Sequence, residues 1–469
     1  MKILLVIPPT SYVNYPITES GLYCAYLRQA GHSVDLLELN IDLLNHFIKE
    51  EGDNICSSFG KGINVNSLVF LHTVGDIFED TNAEYLLDFL DRSSHIQERL
   101  LDSISEYDTV LFVFQYIRTY PSILPWVLDS AEEIKELRKN ITIGLVGHGL
   151  RSFPSKTFKH VLEESSIDSV FLLEEWDLPE YINENGLFVV PPKHSLKGIL
   201  NPDLSIYRTK EYLNNRMGTN VVNIFASRGC GGSCVFCNER YTFRGVRQRP
   251  PQEVAEEMVR MKEEYNIKLF RFSDSRLNHC KNDLLDLAKH IKNKGLNDMY
   301  WVGMLQANHP ITKGEADFLY ASGCRALWSG IENGSKEIID LLDKDVEIGQ
   351  LESIARNLSN AGISFVTLWI KNAPWDNRAS ITETKKLQGI VRNSGGGVHD
   401  TGFRLYAKSR AGKSAKLLAS LNIKANPPDK FTTVIKYSAI NQPTTPEQEL
   451  NNNESFIYSI ENMPLCSEL

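Results

Sequence analysis

Three thiols fall within eight residues in Cys230-Gly-Gly-Ser-Cys234-Val-Phe-Cys237, a C-x3-C-x2-C spacing. The other five cysteines, Cys24, Cys56, Cys280, Cys324 and Cys466, are scattered, and eight in 469 residues are too few for a disulfide scaffold. In a reducing compartment such a cluster indicates metal or redox chemistry. Structural zinc takes four ligands, commonly as two separated pairs. No fourth Cys or His stands nearby at a suitable spacing; His279 and Cys280 are about forty residues on. Three thiolates on a tight loop can instead hold three irons of a 4Fe-4S cluster and leave the fourth iron open to a non-protein ligand. Gly229, Gly231 and Gly232 let the backbone wrap closely around such a group, and their amides can hydrogen-bond its sulfides.

The elements around this loop alternate. Strand-like runs are expected at 221–227, 268–274, 300–307, 325–332, 363–371 and 401–408, with helices between them. A helix over 252–265 follows Pro250-Pro251, and those over 281–294, 312–322, 350–361 and 381–393 each stop at glycine. Eight such units make a closed barrel of roughly 250 residues. Six predict a partial, open (β/α)6 barrel, with the cysteines on the loop after its first strand, at the carboxyl end where barrels carry their chemistry.

The first half alternates as well. Apolar runs at 2–9, 33–40, 109–115, 141–147 and 169–175, with helical stretches near 21–31, 124–138 and 155–164, predict a Rossmann-like open parallel sheet covered on both faces. Ligands of such sheets sit at the carboxyl ends of the strands, which nominates Gln115, Tyr116, Gly147, His148, Gly149 and Glu174. His32 stands at a helix-to-strand turn and reads as structural, and Cys324 as a small buried residue. The expected organisation is a domain at 1–175 with an insertion at about 41–100, a proline-punctuated connector at 176–220, the partial barrel at 221–410, and a polar C-terminal extension at 411–469.

Hydrophobic residues are 42% and charged residues 23%, an ordinary globular composition. The net charge of −9 argues against a general nucleic-acid binder, and the short basic run Arg240, Arg244, Arg247, Arg249 reads as a solvated face or a contact for an anionic substrate. No apolar run approaches the roughly 18 residues of a membrane span, and the apolar N-terminus is short for a signal peptide. A soluble, cytoplasmic protein with a small-molecule substrate is expected.

With Phe236 before the last cysteine, the loop is C-x3-C-x-aromatic-C, and over about residues 215–410 the chain resembles the radical S-adenosylmethionine superfamily. The resemblance implies that the open iron binds the amino and carboxylate groups of S-adenosylmethionine. It implies an electron donor such as flavodoxin or ferredoxin, and a 5′-deoxyadenosyl radical that abstracts hydrogen from an unactivated carbon. Ser273 and Asp274, in Phe272-Ser273-Asp274-Ser275, match the segment that receives the substrate's amino group, although a strand-end cap is the other reading of Asp274. Glu332 matches the acidic position of a Gly-Ile-Glu-Ser-Gly-Ser-like run, in which Asn333 here replaces serine. Gln306 and Asn308 end the third strand and are candidates to reach the cofactor. Asn372-Ala373-Pro374-Trp375-Asp376 replaces the proline-glycine-glutamate-threonine run of many relatives, and Trp375 reads as a substrate wall or a packed aromatic.

A Rossmann-like domain ahead of that barrel, with Gly-Leu-Val-Gly-His-Gly and Phe-Leu-Leu-Glu-Glu at its fourth and fifth strands, resembles the cobalamin-binding branch over about residues 1–200. The Asp-x-His-x-x-Gly loop of some cobalamin proteins is absent, and residues 10–16 hold no histidine. The branch implies a cobalamin-dependent methyltransferase acting on a small metabolite. A non-methylating radical transformation, or an N-terminal domain that has lost cobalamin, stand beside it. An iron–sulfur carrier or a nucleic-acid-modifying enzyme fit the residues less well.

Overall fold

The computed structural model describes residues 1–58, 84–115, 123–190, 195–216, 218–243, 245–280, 282–295, 298–426, 435 and 437–440. The chain divides into two compact units, Met1–Lys193 with Ile199–Val222, and His194–Gly198 with Asn223–Leu469.

The first unit is built on a six-stranded parallel sheet: β1 (Lys2–Ile7), β2 (Ser33–Glu38), β3 (Thr109–Val113), β4 (Thr142–Val146), β5 (Ser169–Leu172) and β6 (Gly186–Val189). Its order is β2-β1-β3-β4-β5-β6. Strand order reverses at β1, where the chain steps out to β2 and back to β3, the place where open sheets bind ligands. Ile3, Leu5, Leu111, Val113, Val146 and Phe171 form the core with Tyr23 and Leu27 of the helix Thr18–Gln29. Burial on both faces explains why these strands read as continuous apolar runs. β6 lies inside the segment expected to be a connector. It is an edge strand of four residues, alternately half-buried and exposed, so it carries no continuous apolar run. The expected insertion holds the 20-residue helix Leu39–Ser58, then Glu84–Asp91 and Ser94–Ser103.

The second unit carries β7 (Val221–Ile224), β8 (Leu269–Phe272), β9 (Tyr300–Met304), β10 (Cys324–Glu332), β11 (Ser364–Lys371) and β12 (Gly397–Gly402). These lie side by side in chain order, with the helices Pro251–Tyr265, Asp283–Asn293, Lys313–Ala321, Leu351–Asn360 and Arg378–Asn393 between them. This is the expected partial (β/α)6 barrel. The helix starts follow local chemistry. Pro251 opens the first, while Thr312 with Glu315 and Asn377 with Ser380 form capping boxes. A buried Arg249–Glu257 ion pair ties the first helix to the end of β7, where Arg249 Nη1 also donates to Phe225 O at 2.9 Å.

The last strand corrects the expectation of 401–408. It runs Gly397–Gly402, in register from Val366↔Gly397 to Lys371↔Gly402. Of the three glycines taken together as a stop, Gly395 at φ +84° makes the turn, and Gly397 already pairs with β11. A second core of Val235, Ile338, Leu342, Ile370, Trp375, Phe403 and Leu405 packs against the cysteine loop through Val235. Most of the expected apolar stretch at 431–437 lies outside the described residues. Among the described residues, no helix is long and apolar enough to cross a membrane.

Candidate functional site

The chain leaves β7 through Ser227–Arg228, which pairs antiparallel with Arg247–Gln248. The residues between them carry the three cysteines. Gly229 (φ +88°) is where these two arms meet, and a Cβ there would lie 1.9 Å from Gly245 O. Cys230, Cys234 and Cys237 are half-buried and line one pocket with Gly232, Ser233, Glu239, Arg240, Tyr241 and Arg410. Gly232 N donates to Cys230 Sγ at 3.3 Å and Glu239 N to Cys237 Sγ at 3.4 Å. A Cβ on Gly232 would stand 3.3 Å from Cys230 Sγ and 3.9 Å from Cys234 Sγ, so the glycine keeps open the space between two thiols. Among the described residues, the only trio of ligating side chains with atoms within 4.8 Å of one another lies elsewhere, at Glu19, His148 and Glu175. The cysteine sulfurs are therefore spread wider than one ion would hold them. Three spread thiols, a side-chain-free gap and inward amides fit a polynuclear cluster.

Three anchors hold this loop. Val235 N donates to Leu342 O at 3.0 Å and Ala411 N to Val235 O at 2.8 Å, while Arg410 Nη1 donates to Ser233 O and to Asp343. Phe236 packs against the second core. Burial pushes the Cys237 thiol up to about 12 and raises that of Cys234. Both are neutral thiols unless a cationic group takes their protons' place.

Glu332 ends β10 at φ +72°, with its carboxylate 3.0 Å from Lys344 Nζ. A Cβ on Gly330 would lie 2.3 Å from Glu332 Oε1 and 3.0 Å from Lys344 Nζ, so a side chain there would make the two flexible ends shift. Burial pulls the Lys344 ammonium down, but Glu332 and the Cys234 sulfur outweigh it and hold it above its ordinary value.

Asp274 is buried at the end of β8. Its Oδ2 accepts from Ala226 N at 3.0 Å and its Oδ1 from Ser227 Oγ at 2.5 Å. Ser227 Oγ lies 2.9 Å from His279 Nε2, and Arg276 Nε donates to His279 Nδ1 at 3.3 Å. Because arginine only donates, the chain runs one way: Arg276 to His279, His279 to Ser227, Ser227 to Asp274. Asp274 thus ties down the start of the cysteine loop. Burial pushes its carboxyl up to about 7. Ser273 N and Oγ both bond Ile224 O, at 2.8 and 3.3 Å. Gln306 bonds Asn278 and Asp345 through its backbone N and its amide, and Asn308 donates to Asp345 at 2.7 Å.

The two departures noted in the sequence meet. Asn333 Nδ2 donates to Asp376 Oδ1 at 2.9 Å, and Asn333 Oδ1 accepts from Ser335 N at 3.0 Å and Thr384 Oγ1 at 3.3 Å. Trp375 is buried against Phe403, ring centroids 4.6 Å apart, so it is a packed aromatic and not an open stacking wall. The basic run is not one face. Arg249 is buried with Glu257, Arg247 is buried beside Arg228, Arg240 is exposed, and Arg244 lies outside the described residues.

In the first unit, Gln115, Gly147, His148, Gly149 and Glu174 gather at the carboxyl ends of β3, β4 and β5, while Tyr116 lies outside the described residues. The glycines let the chain pass close to the backbone at the end of β3. A Cβ on Gly147 (φ +117°) would stand 2.2 Å from Phe114 O, and one on Gly149 2.6 Å from Gln115 O. His148 is buried among carboxylates: its N donates to Glu19 Oε1 at 2.6 Å, its Nδ1 is 3.1 Å from the same oxygen, and its Nε2 is 3.7 Å from Glu174. Glu174 also meets Arg151 at 3.3 Å. Gln115 is buried beside Ser20. These side chains gather as a buried polar layer at the carboxyl ends of β3, β4 and β5.

Lys344 and Arg410 were missed from the sequence because each reaches the site from a distant segment, whereas Arg276 directly follows the Phe272–Ser275 run. The one local signal was Asp343-Lys344-Asp345, alternating charge directly after an apolar helix end.

No family model matches the chain. Two curated relatives match parts of it. An uncharacterized methyltransferase of Pyrococcus horikoshii is 27% identical over 165 residues, 35% of this chain and 36% of the relative. The anaerobic magnesium-protoporphyrin IX monomethyl ester cyclase of Cereibacter sphaeroides is 22% identical over 193 residues, 40% of this chain and 31% of the relative. The matched segments thus span about a third of those relatives. Solved structures match far more of the fold. The radical S-adenosylmethionine methyltransferase TsrM of Kitasatospora setae, with cobalamin and a 4Fe-4S cluster bound, superposes with a TM-score of 0.62 at 16% identity, covering 91% of this chain and 81% of that one. The cobalamin-dependent S-adenosylmethionine radical enzyme OxsB gives 0.58 at 14% identity, covering 94% and 64%. The chain has the fold of these proteins, a parallel-sheet domain followed by a partial barrel.

Proposed function

We propose that this chain is a radical S-adenosylmethionine enzyme whose Cys230, Cys234 and Cys237 hold a 4Fe-4S cluster, and that it is a cobalamin-dependent methyltransferase acting on a small metabolite. The carrying observation is the three-thiol loop with its Gly232 gap, at the carboxyl end of the first strand of a six-strand partial barrel. The shared fold with TsrM and OxsB, both described with cobalamin, supports the second part. A bound cluster with S-adenosylmethionine at its open iron supplies one-electron cleavage of a carbon–sulfur bond and hence a carbon-centred radical.

The protein's own residues do the holding. Gly232 N and Glu239 N stabilise negative charge on two of the sulfurs. Val235, stapled on both sides, keeps the three thiols at their spacing. Asp274, through Ser227, fixes where the loop departs from β7, and Glu332 is the acidic group that accepts from the cofactor's ribose hydroxyls or orients its methionine part. One observation favours a second reading, a radical transformation without methyl transfer: the expected corrin contacts in the first unit are turned inward on Glu19, Phe114 and Arg151.

After anaerobic reconstitution the full chain is expected to hold about four irons and to cleave S-adenosylmethionine. Replacing Cys230, Cys234 and Cys237 together by Ala should remove both; cleavage at the wild-type rate without a cluster would end the proposal. Retention of about one added hydroxocobalamin per chain on desalting supports methyl transfer, and no retention moves the second reading forward.

A further inference from the structure

Three ligating side chains converge at the carboxyl ends of the first sheet, in the unit that does not carry the cysteines. Glu19 stands in the first turn of the helix Thr18–Gln29, His148 in the turn after β4, and Glu175 in the turn after β5. They are 5%, 2% and 0% exposed, and each offers a ligand atom within 4.8 Å of the others. His148 Nδ1 lies 3.1 Å from Glu19 Oε1 and 3.9 Å from Glu175 Oε1. Two ligands each about 2.1 Å from one ion stand about 3.0–4.2 Å apart, so both distances suit a shared ion.

The surroundings are built to hold that geometry. Gly147 and Gly149 flank the histidine, and a side chain on either would collide with the backbone of Phe114 or Gln115. Gly149 N donates to Phe114 O at 2.8 Å, which fastens the turn to the end of β3. His148 N donates to Glu19 Oε1 at 2.6 Å, a short bond that favours the ionised carboxylate and fixes it beside the ring. On the other side of the ring, Nε2 faces Glu174 Oε2 at 3.7 Å, and Glu174 is itself met by Arg151 at 3.3 Å. A carboxylate at one ring nitrogen draws the proton to that side and leaves the lone pair on the other, which is how metal-bound histidines are oriented. Here the lone pair falls on Nδ1, between Glu19 and Glu175. We propose that Glu19, His148 and Glu175 bind one divalent transition-metal ion of the zinc type, with Glu174 and Arg151 orienting the imidazole. One imidazole and two carboxylates suit such an ion. Deep burial of all three ligands makes the site structural: the ion joins the start of a helix to the turns after β4 and β5.

The test uses zinc as the probe and the full chain with Cys230, Cys234 and Cys237 replaced by Ala, so that no thiol of the loop competes. After dialysis against zinc and then against metal-free buffer, elemental analysis is expected to find about one zinc per chain. Adding Glu175→Gln or His148→Gln to that chain should abolish retention while the far-UV circular dichroism stays that of the parent. Zinc should also raise the melting temperature of the parent and leave that of either variant unmoved. No retained zinc in the parent overturns the proposal; His148 is then a hydrogen-bonded imidazole among carboxylates and nothing more. Retention undiminished in both variants overturns it too, because the ion then sits elsewhere. If both variants fail to fold, zinc-edge X-ray absorption of the parent decides: one imidazole with oxygens at about 2.0–2.2 Å supports the site, and a shell containing sulfur or lacking imidazole overturns it.

Discussion

Asp274→Asn separates a clamp from a receptor. In the folded chain burial raises the Asp274 carboxyl from 3.8 to about 7. Between those values the native state holds a proton that the unfolded chain has released, so stability falls as pH rises. The contribution is fully present below about pH 3.8 and lost as pH climbs through 7. At about 1.4 kcal/mol per pH unit, the window is worth about 4 kcal/mol. Asn carries no such proton and removes this slope. It also faces a directional problem. Arg276 can only donate, so His279 and Ser227 deliver a donor to Oδ1, while Ala226 N delivers another to Oδ2. The amide has one acceptor for these two donors, but so has the protonated wild-type carboxyl below about pH 7, so the mismatch is shared there. The expected result is a divergence: near pH 4.5 variant and wild type are close in stability, and by pH 8 the variant is the more stable. Urea unfolding of the cluster-free protein at five pH values measures this. Glu38, raised to about 7 by burial, adds a slope of the same sign in both proteins. His279, lowered to about 4 by burial and Arg276, adds one of opposite sign below its ordinary value. Glu38 is untouched by the substitution, so it cancels in the difference. Parallel curves for wild type and Asp274→Asn from pH 4.5 to 8 would refute the reasoning, because the carboxyl would then not be the buried proton-holding clamp.

Two further outcomes follow from the geometry. Gly147→Ala places a Cβ 2.2 Å from Phe114 O at φ +117°, which costs about 3 kcal/mol or more; a thermal melt within a degree or two of wild type would show that β3 and β4 yield there. Asn333→Ser and Asp376→Ala each break the 2.9 Å amide–carboxylate bond, so a double-mutant cycle in urea should give a coupling of about 1–2 kcal/mol, and simple additivity would mean that the two departures are independent.

The alternation of apolar runs and glycine-stopped helices was enough to read both sheets, because strands buried on two faces advertise themselves. It failed where burial is partial. β6 is a half-exposed edge, and β12, Gly397–Gly402, is half-buried throughout and opens on glycine. The three cysteines were legible because their types and spacing are local. Lys344 and Arg410 were not, since nothing in one segment states which distant backbone it will meet. His148 and Glu174 stand at the strand ends where the alternation placed them. Polar residues at buried strand ends, in this chain, satisfy one another and the loop backbone first.

That distinction decides how the carboxyl ends of the second sheet should be read. A polar side chain there has a backbone to satisfy before it can serve a ligand. Ser273 bonds Ile224 O, Asp274 bonds Ala226 and Ser227, and Asn333 bonds Ser335, Thr384 and Asp376. The thiols, by contrast, accept only from their own loop among the described contacts, and Glu332 is held by the Lys344 ammonium. Asn333 then gains a specific meaning. Asparagine reaches Asp376 and ties the end of β10 to the segment Asn372–Asp376, whose Asn372 sits at φ +53°. Replacing Asn333 or Asp376 alone leaves a polar atom of the other without this partner, so the shape of the loop after β11 depends on both side chains.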